Sequence, residues 1–131
     1  MYIRFIDNIK DFLYRKPIWF VQRSIRGYSD RDLWSVNARL LEIIINHLNA
    51  FIKVTNGYPA NYASFDDYIA MIKSIITDLE YCLWVLDEKF YNDEEDIDKL
   101  VKLHKFHYKE LKKVKRRAFR NLSDELEGLW W

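Results

Sequence analysis

Apolar side chains recur at intervals of three and four residues along most of the chain, which is the spacing of one helix face. In the first segment, which ends near residue 16, they fall at Ile3, Ile6, Ile9 and Phe12 or Leu13. Pro17 interrupts this segment, and because proline is tolerated in a first helical turn, it predicts the start of a second, short helix. Gly27 fits the position just past the end of that helix, where a left-handed backbone is needed.

A third helix is predicted from about Asp30 to Val54. Ser29 with Asp32 three residues later resembles a capping box, and Asp30 and Asp32 would lie in a first turn, where carboxylates favour the helix dipole. The apolar stripe of this segment is wide: Leu33, Val36, Leu40, Leu41, Ile43, Ile44, Ile45, Leu48 and Phe51. Its width predicts that this helix is the most buried one.

Two further helices follow a loop at residues 55 to 64, where Asn56-Gly57 and the residue before Pro59 have turn chemistry. Ser64 with Asp67 repeats the capping pattern and predicts a fourth helix over about residues 65 to 91. The acidic stretch NDEED, residues 92 to 96, predicts the start of a fifth helix that reaches about residue 122, with Asn92 as its cap. The pattern indicates one all-α domain over residues 1 to 131, a compact bundle of four to five helices.

Composition narrows the class of protein. The 131 residues include 21 basic and 20 acidic side chains, so the net charge of +1 gives no global reason to expect nucleic acid or an anionic membrane as a partner. Cys82 is the only cysteine, which excludes an intramolecular disulfide and suits a reducing compartment. It lies in the apolar stretch LEYCLWVL and is expected to be a buried thiol. Without a signal peptide or long apolar run, we expect a cytoplasmic protein with no membrane partner.

Charge is unevenly distributed along the fifth predicted helix, with acids at its start and lysines and arginines from Lys99 to Arg120. Acids at the start and bases at the end of a helix complement its dipole, and a solvated helix face would carry such charges. The alternative is an anion site between Lys112 and Arg120 for the phosphates of a nucleotide or nucleic acid. His104, His107 and Glu110 share a face and could hold a metal, although surface histidines explain the same spacing. We expect no metal and no cofactor.

Catalytic motifs are missing: the sequence has no GxSxG elbow, no glycine-rich phosphate loop and no CxxC. We therefore expect no catalytic residues. The 5 Trp and 9 Tyr exceed the number that a small bundle needs to fill its core. Aromatic rings beside arginines would form a stacking surface for bases or a protein interface. The terminal Trp130-Trp131 pair is expected to dock either on its own bundle or on a second subunit.

One series of motifs resembles a family of small tailed-bacteriophage proteins. That family shows Arg-Gly-aromatic, then acidic residues and Trp, then a Leu-rich helix ending near Phe, then Gly-Tyr-Pro, and a C-terminal Leu-Trp-Trp. The matching residues are Arg26, Gly27, Tyr28, Asp30, Asp32, Trp34, Phe51, Gly57, Tyr58, Pro59, Leu129, Trp130 and Trp131. The resemblance covers residues 23 to 90 and the last three; it implies a viral origin and an intracellular bacterial setting, and it implies no mechanism.

Small helical phage proteins without catalytic groups often act by binding, and some phage proteins sequester the cyclic nucleotides that bacterial immune systems use as alarms. By this analogy of class, we expect a non-enzymatic protein that captures a small anionic, nucleotide-like ligand in a pocket between the subunits of a homo-oligomer. Two alternatives are a module that inhibits a host protein and a nucleic-acid binder that uses the fifth predicted helix.

The candidate ligand-binding residues fall into two groups. The first group comprises Arg23, Arg26, Tyr28, Arg31, Trp34, Arg39 and Tyr58, and the second comprises Lys112, Arg116 and Arg117. Gly27, Ser29, Asp30 and Asp32 are explained by the helix junction itself. We expect Arg26, Tyr28 and Arg31 not to be required by it, and Arg31 and Arg39, eight positions apart, to project from one side of one helix.

Overall fold

The computed structural model describes residues 11–92 and 94–130, with side chains from Leu13 onwards. The predicted apolar positions Ile3, Ile6 and Ile9 lie outside the described residues. All regular structure in these ranges is helical, which confirms the all-α fold class. The α-helices are α1 (Lys16–Arg26), α2 (Val36–Val54), α3 (Phe65–Leu86) and α4 (Ile97–Glu125). A π-helical turn (Asp11–Arg15) precedes α1, and 3-10 segments occupy Asp30–Ser35, Lys89–Tyr91 and Leu126–Gly128.

The chain divides into two compact units, residues 1 to 39 and residues 40 to 131. Of the helices in the described ranges, none combines the length and apolar content needed to span a bilayer.

The first unit follows the local signals of the sequence. Pro17 lies in the first turn of α1, as predicted, and Gly27 adopts a left-handed conformation (φ 79°) with its N–H donating to the Arg23 carbonyl at 2.9 Å. The Ser29–Asp32 capping box is also present. It caps a 3-10 helix, however, and the α-helix begins only at Val36, six residues later than predicted.

The core of the second unit is built around α3. Its side chains Tyr68, Ile72, Ile75, Leu79 and Val85 are fully buried. By contrast, α2 buries Leu41, Ile45 and Leu48, while Leu33, Val36 and Leu40 of the predicted stripe are exposed. The prediction that the third predicted helix is the most buried is therefore wrong. The centre of the core is α3, which packs against α4, where the small side chain of Ala118 is also fully buried.

The boundaries of the last two helices differ from the predicted ones. The fourth predicted helix ends at Leu86, because Glu88 takes a left-handed conformation (φ 56°) that stops α-helical propagation. Asn92 is not the cap of the fifth predicted helix. Asp96 has that role, and its carboxylate accepts from the N–H groups of Asp98 and Lys99. Cys82 is buried, as predicted.

Candidate functional site

In the first unit, the residues predicted to bind a ligand surround the junction between α1 and the 3-10 helix. We call this set the junction surface: Arg23, Arg26, Tyr28, Arg31, Trp34 and Arg39, together with Trp19. Its local structure depends on the capping box, because the turn after Gly27 brings the aspartates of the 3-10 helix back toward the arginines of α1.

Asp32 is the buried centre of the junction. Only 7% of its side chain is exposed, and its carboxylate accepts from the Ser29 N–H at 2.8 Å. It also accepts from Arg23 through Nε at 2.9 Å and Nη2 at 2.5 Å, and Arg39 Nε lies 3.6 Å from Oδ1. The hydrogen bond from Arg23 holds the pKa of this carboxyl far below its usual range. Asp32 therefore neutralises part of the positive charge of Arg23 and Arg39.

Arg26 is a second structural element of the junction. Its Nε donates to the Tyr28 carbonyl at 3.1 Å, its Nη2 donates to Asp30, and its guanidinium lies 4.6 Å from the centroid of the Tyr28 ring. Asp30 also accepts from Gln22 Nε2 at 2.8 Å, and the hydrogen bonds from Gln22 and Arg26 lower the pKa of Asp30. The expectation that the junction does not require Arg26 and Tyr28 is thus wrong, since both are held within it.

Arg31 differs from the other arginines of the junction surface. Its guanidinium lies 4.9 Å from the Trp19 ring centroid, and it has no carboxylate partner in the described part of the chain. Trp34, three residues later, is 89% exposed and so is not a core residue. Because the α-helix begins at Val36, Arg31 and Arg39 do not share one continuous α-helical face as predicted; Arg31 contacts Trp19, and Arg39 contacts Asp32.

Tyr58 lies in the second unit, and its surroundings are acidic. The ring packs edge-on against Phe65, with centroids 6.4 Å apart, and lines a cavity of about 400 Å³. Asp124, Glu125 and Glu127 line the same cavity, and no lysine or arginine among the described residues does. A negatively charged ligand would be repelled here, so Tyr58 does not belong with the anion-binding residues, contrary to the sequence-based expectation.

The cations of the fifth predicted helix lie on α4, where Lys112, Arg116 and Arg117 are all exposed. Arg117 donates to both carboxylate oxygens of Asp78, at 2.8 and 2.7 Å, and these bonds raise the pKa of the guanidinium. Lys112 and Arg116 have no carboxylate partner in the described ranges. They belong to a row of exposed cations spaced by three or four residues: Lys102, Lys105, Lys109, Lys112, Arg116 and Arg120.

The histidines of α4 have separate environments. His107 Nδ1 lies 3.0 Å from the Tyr81 hydroxyl, whereas the ring of His104 stacks on Tyr108 with centroids 4.2 Å apart. Glu110 accepts from Lys113 at 3.1 Å. Within residues 11–92 and 94–130, no cluster of three or more His, Cys, Asp or Glu side chains has an arrangement suited to a metal ion.

Fold and surfaces together define an all-α protein with an arginine–aromatic surface in its first unit and, in its second, a row of cations and an acidic cavity. Comparison with protein-family models, with curated proteins and with solved structures found no match for this chain.

No sequence pattern indicated the acidic cavity. Its walls come from residues 56 to 61 and 124 to 130, which are more than 60 positions apart. The carboxylates of Asp124 and Glu127 follow at three-residue spacing, as they would on any solvated helix end, so only the fold reveals that they face Tyr58.

Proposed function

We propose that this chain is a non-enzymatic bacteriophage protein that binds a small anionic, nucleotide-like ligand through the junction surface. One observation carries the proposal: Arg31 lies over the Trp19 ring without a carboxylate partner in the described ranges, and the exposed Trp34 is three residues away. In a 3-10 helix, side chains at i and i+3 eclipse each other, so Arg31 and Trp34 lie on the same side.

This pairing suits the two parts of a nucleotide. A guanidinium stacked on a ring keeps its N–H donors at the edge, where they can reach phosphate oxygens in a bidentate fashion. An exposed indole can stack on a base. Arg23, Arg26 and Arg39 are engaged by Asp32 and Asp30, and their role in the proposal is to keep the surface net positive and to fix its shape.

A second copy of the chain completes the proposed site. Small ligands bind in concave sites, whereas Trp34 and Ile25 project into solvent as exposed apolar side chains. Association of two copies would cover such side chains and enclose a ligand between them. We propose, from the sequence resemblance, that the protein acts in the cytoplasm of an infected bacterium and that its ligand is a nucleotide-derived immune signal.

Calorimetric titration with a cyclic dinucleotide and with a mononucleotide tests the proposal. We expect saturable binding of the cyclic compound, weakened about tenfold or more by Arg31→Ala, because charge-assisted hydrogen bonds would be lost. Lys53→Ala, which removes an exposed cation of α2, is the matched control and should leave the affinity unchanged. Equal binding by wild type and Arg31→Ala, or no binding of either nucleotide, would reject the proposed site.

A second candidate function, nucleic-acid binding, is supported by the cation row of α4. From Lys102 to Arg120 the row extends about 27 Å at 1.5 Å per residue. The core residues Leu111 and Ala118 lie on the opposite side of the same helix. A straight, solvent-facing row of this length suits the phosphate backbone of a nucleic acid.

Salt-dependent binding distinguishes this candidate from the first. If α4 binds DNA, the logarithm of the affinity should fall linearly with the logarithm of the salt concentration, and the Lys112→Ala/Arg116→Ala variant should reduce that slope by about two. Arg31→Ala should not change the slope. An unaltered slope in the α4 variant, or no retention of DNA at low salt, would exclude α4 as a nucleic-acid surface.

A further inference from the structure

The acidic cavity of the second unit is a built feature of the fold. Its two walls are the loop after α2 and the segment at the end of α4, and hydrogen bonds from Tyr62 of that loop and from Tyr68 of α3 hold the second wall in place. The Tyr62 hydroxyl donates to Glu125 Oε1, and the Tyr68 hydroxyl donates to the Gly128 carbonyl at 2.9 Å. A Cβ atom at Gly128 would lie 2.8 Å from Pro59 Cγ, so only glycine permits this close approach.

Negative charge in the cavity is uncompensated. Asp124, Glu125 and Glu127 all line it, and none of them forms an ion pair within the described ranges. Glu125 is more than nine-tenths buried, with 8% of its surface exposed. One of its carboxylate oxygens accepts from Tyr62, and no buried side-chain oxygen in the described part of the chain lacks a hydrogen-bond partner, so Oε2 is accessible to solvent from the cavity. A bound cation would pair with this oxygen and offset the mutual repulsion of the three carboxylates.

The electrostatic effect of these carboxylates reaches the neighbouring tyrosines. Burial raises the pKa of Tyr62 above its usual range, and the hydrogen bond to Glu125 and the charge of Asp124 raise it further. The pKa of Tyr68 is also raised, first by burial and then by Glu125. Both shifts have the direction that an excess of negative charge produces.

Aromatic rings add a second kind of cation contact. Tyr58 and Trp130 line the cavity together with the carboxylates, and Trp130 is 76% exposed rather than packed into the core. Of the two alternatives for the terminal pair, Trp130 does not follow docking on its own bundle, docking on a second subunit stays a prediction, and Trp131 lies outside the described residues. The face of an indole or phenol ring attracts alkylammonium and guanidinium groups, most strongly where water is excluded.

A metal ion fits these features less well than an organic cation. The described carboxylates form no cluster that could coordinate a metal, and a cavity of about 400 Å³ has the size of a small-molecule site. The carboxylates are distributed along the wall of the cavity, and the rings of Tyr58 and Trp130 lie beside them. An extended molecule with several positive groups would contact both.

We propose that this cavity binds a small organic cation that carries more than one ammonium group, such as a linear polyamine. Asp124, Glu125 and Glu127 pair with the ammonium groups, and Tyr58 and Trp130 cover the alkyl chain and its charged ends. The site shares no residue with the junction surface and has the opposite charge preference, so it can exist whether or not the proposed anion binding is correct.

Calorimetric titration of the full chain with spermidine, at fixed ionic strength, tests the site. We expect saturable binding that the Asp124→Asn/Glu127→Gln variant weakens on the order of tenfold or more, and that Trp130→Ala weakens by about threefold to tenfold. All three substituted residues lie at the surface or in the last turn, so far-UV circular dichroism should show an intact fold.

Two control variants and two control ligands complete the test. Glu80→Gln removes an exposed carboxylate of α3, and Trp34→Ala removes an exposed indole of the first unit; neither should change spermidine binding. Magnesium chloride and n-butylamine should bind much more weakly than spermidine. The proposal is overturned if spermidine gives no saturable heat, if the control variants weaken binding as much as the cavity variants, or if n-butylamine binds as tightly as spermidine.

Discussion

Replacement of Asp32 by asparagine tests the electrostatic account of the junction, because it keeps the shape of the side chain and removes its charge. In the structure, this carboxylate accepts from the Ser29 N–H and from two nitrogens of Arg23. An asparagine can accept through one oxygen only, and its NH₂ group would face the donors of Arg23. The variant therefore loses the bidentate pair and the negative charge, while the amide oxygen can still accept from the Ser29 N–H, which shares Oδ2 with Arg23 Nε.

The magnitude of the effect follows from the geometry. Hydrogen bonds to charged groups contribute about 1.5–3 kcal/mol each, and the variant loses the one from Arg23 Nη2 and weakens the one from Arg23 Nε. Arg23 is 39% exposed, so solvent screens the pair and the sum must be reduced. We expect Asp32→Asn to destabilise the junction by about 2–3 kcal/mol. At 1.36 kcal/mol per factor of ten, this corresponds to about 30- to 160-fold in the local opening equilibrium.

Amide hydrogen exchange over residues 23 to 39 is the appropriate assay, because it reports opening of the first unit even if the second stays folded. Asp30→Asn is the matched control two positions away: Asp30 is 63% exposed, and we expect less than about a fivefold change in exchange. If Asp32→Asn accelerates exchange no more than Asp30→Asn does, the junction is not held by the buried carboxylate and the reasoning fails.

The same interaction predicts a pH dependence. The folded-state pKa of Asp32 is depressed, so its stabilisation is fully present above the unfolded-state pKa of about 3.9 and is lost as the pH falls toward the folded-state value. Wild type and Asp32→Asn should therefore differ at neutral pH and converge in strongly acidic solution, once exchange rates are corrected for their intrinsic pH dependence. A difference that stays constant with pH would show that the carboxylate charge is not the cause.

Three further predictions concern the second unit and the exposed tryptophan. Leu79→Ala should lower the free energy of unfolding by about 2–5 kcal/mol in denaturant titration, because Leu79 is fully buried, whereas Trp34→Ala should change it by less than about 0.5 kcal/mol. Gly128→Ala should lower the melting temperature and weaken spermidine binding, because the new Cβ collides with the ring of Pro59; an unchanged melting temperature would contradict this contact. Cys82 should resist alkylation until the protein is denatured, since burial both shields the thiol and raises its pKa, and mass spectrometry after iodoacetamide treatment measures this.

Much of the junction could be predicted because its determinants are close together in the sequence. Pro17 in a first turn, Gly27 in a left-handed conformation and the reciprocal Ser29–Asp32 bonds each involve residues within four positions of one another. The end of α3 at Leu86 was not predictable in the same way. Apolar residues continue at helical spacing to Phe90, and this residue is buried in the core after a left-handed turn at Glu88 rather than by continuation of the helix.

The candidate site residues show the same difference between features that the sequence predicts and features that depend on the fold. The sequence identifies candidate arginines and aromatic residues by their type, but their contacts in the folded chain decide which of them remain available to bind a ligand. Arg23, Arg26 and Arg39 pair with aspartates and Arg117 with Asp78, while Arg31 lies on Trp19. Residue type alone cannot distinguish these cases, because each pairing depends on distances between elements that the fold brings together.

The linear pattern of this chain was enough to establish an all-α protein, its loop at residues 55 to 64 and its helix-capping residues, because helix periodicity and capping are short-range properties of the backbone. The tertiary structure alone decided that α3 forms the centre of the core, that Asp32 binds Arg23, and that Glu125 and Tyr58 line one acidic cavity. These features depend on contacts between distant residues, whose energies arise only when folding removes water from between them.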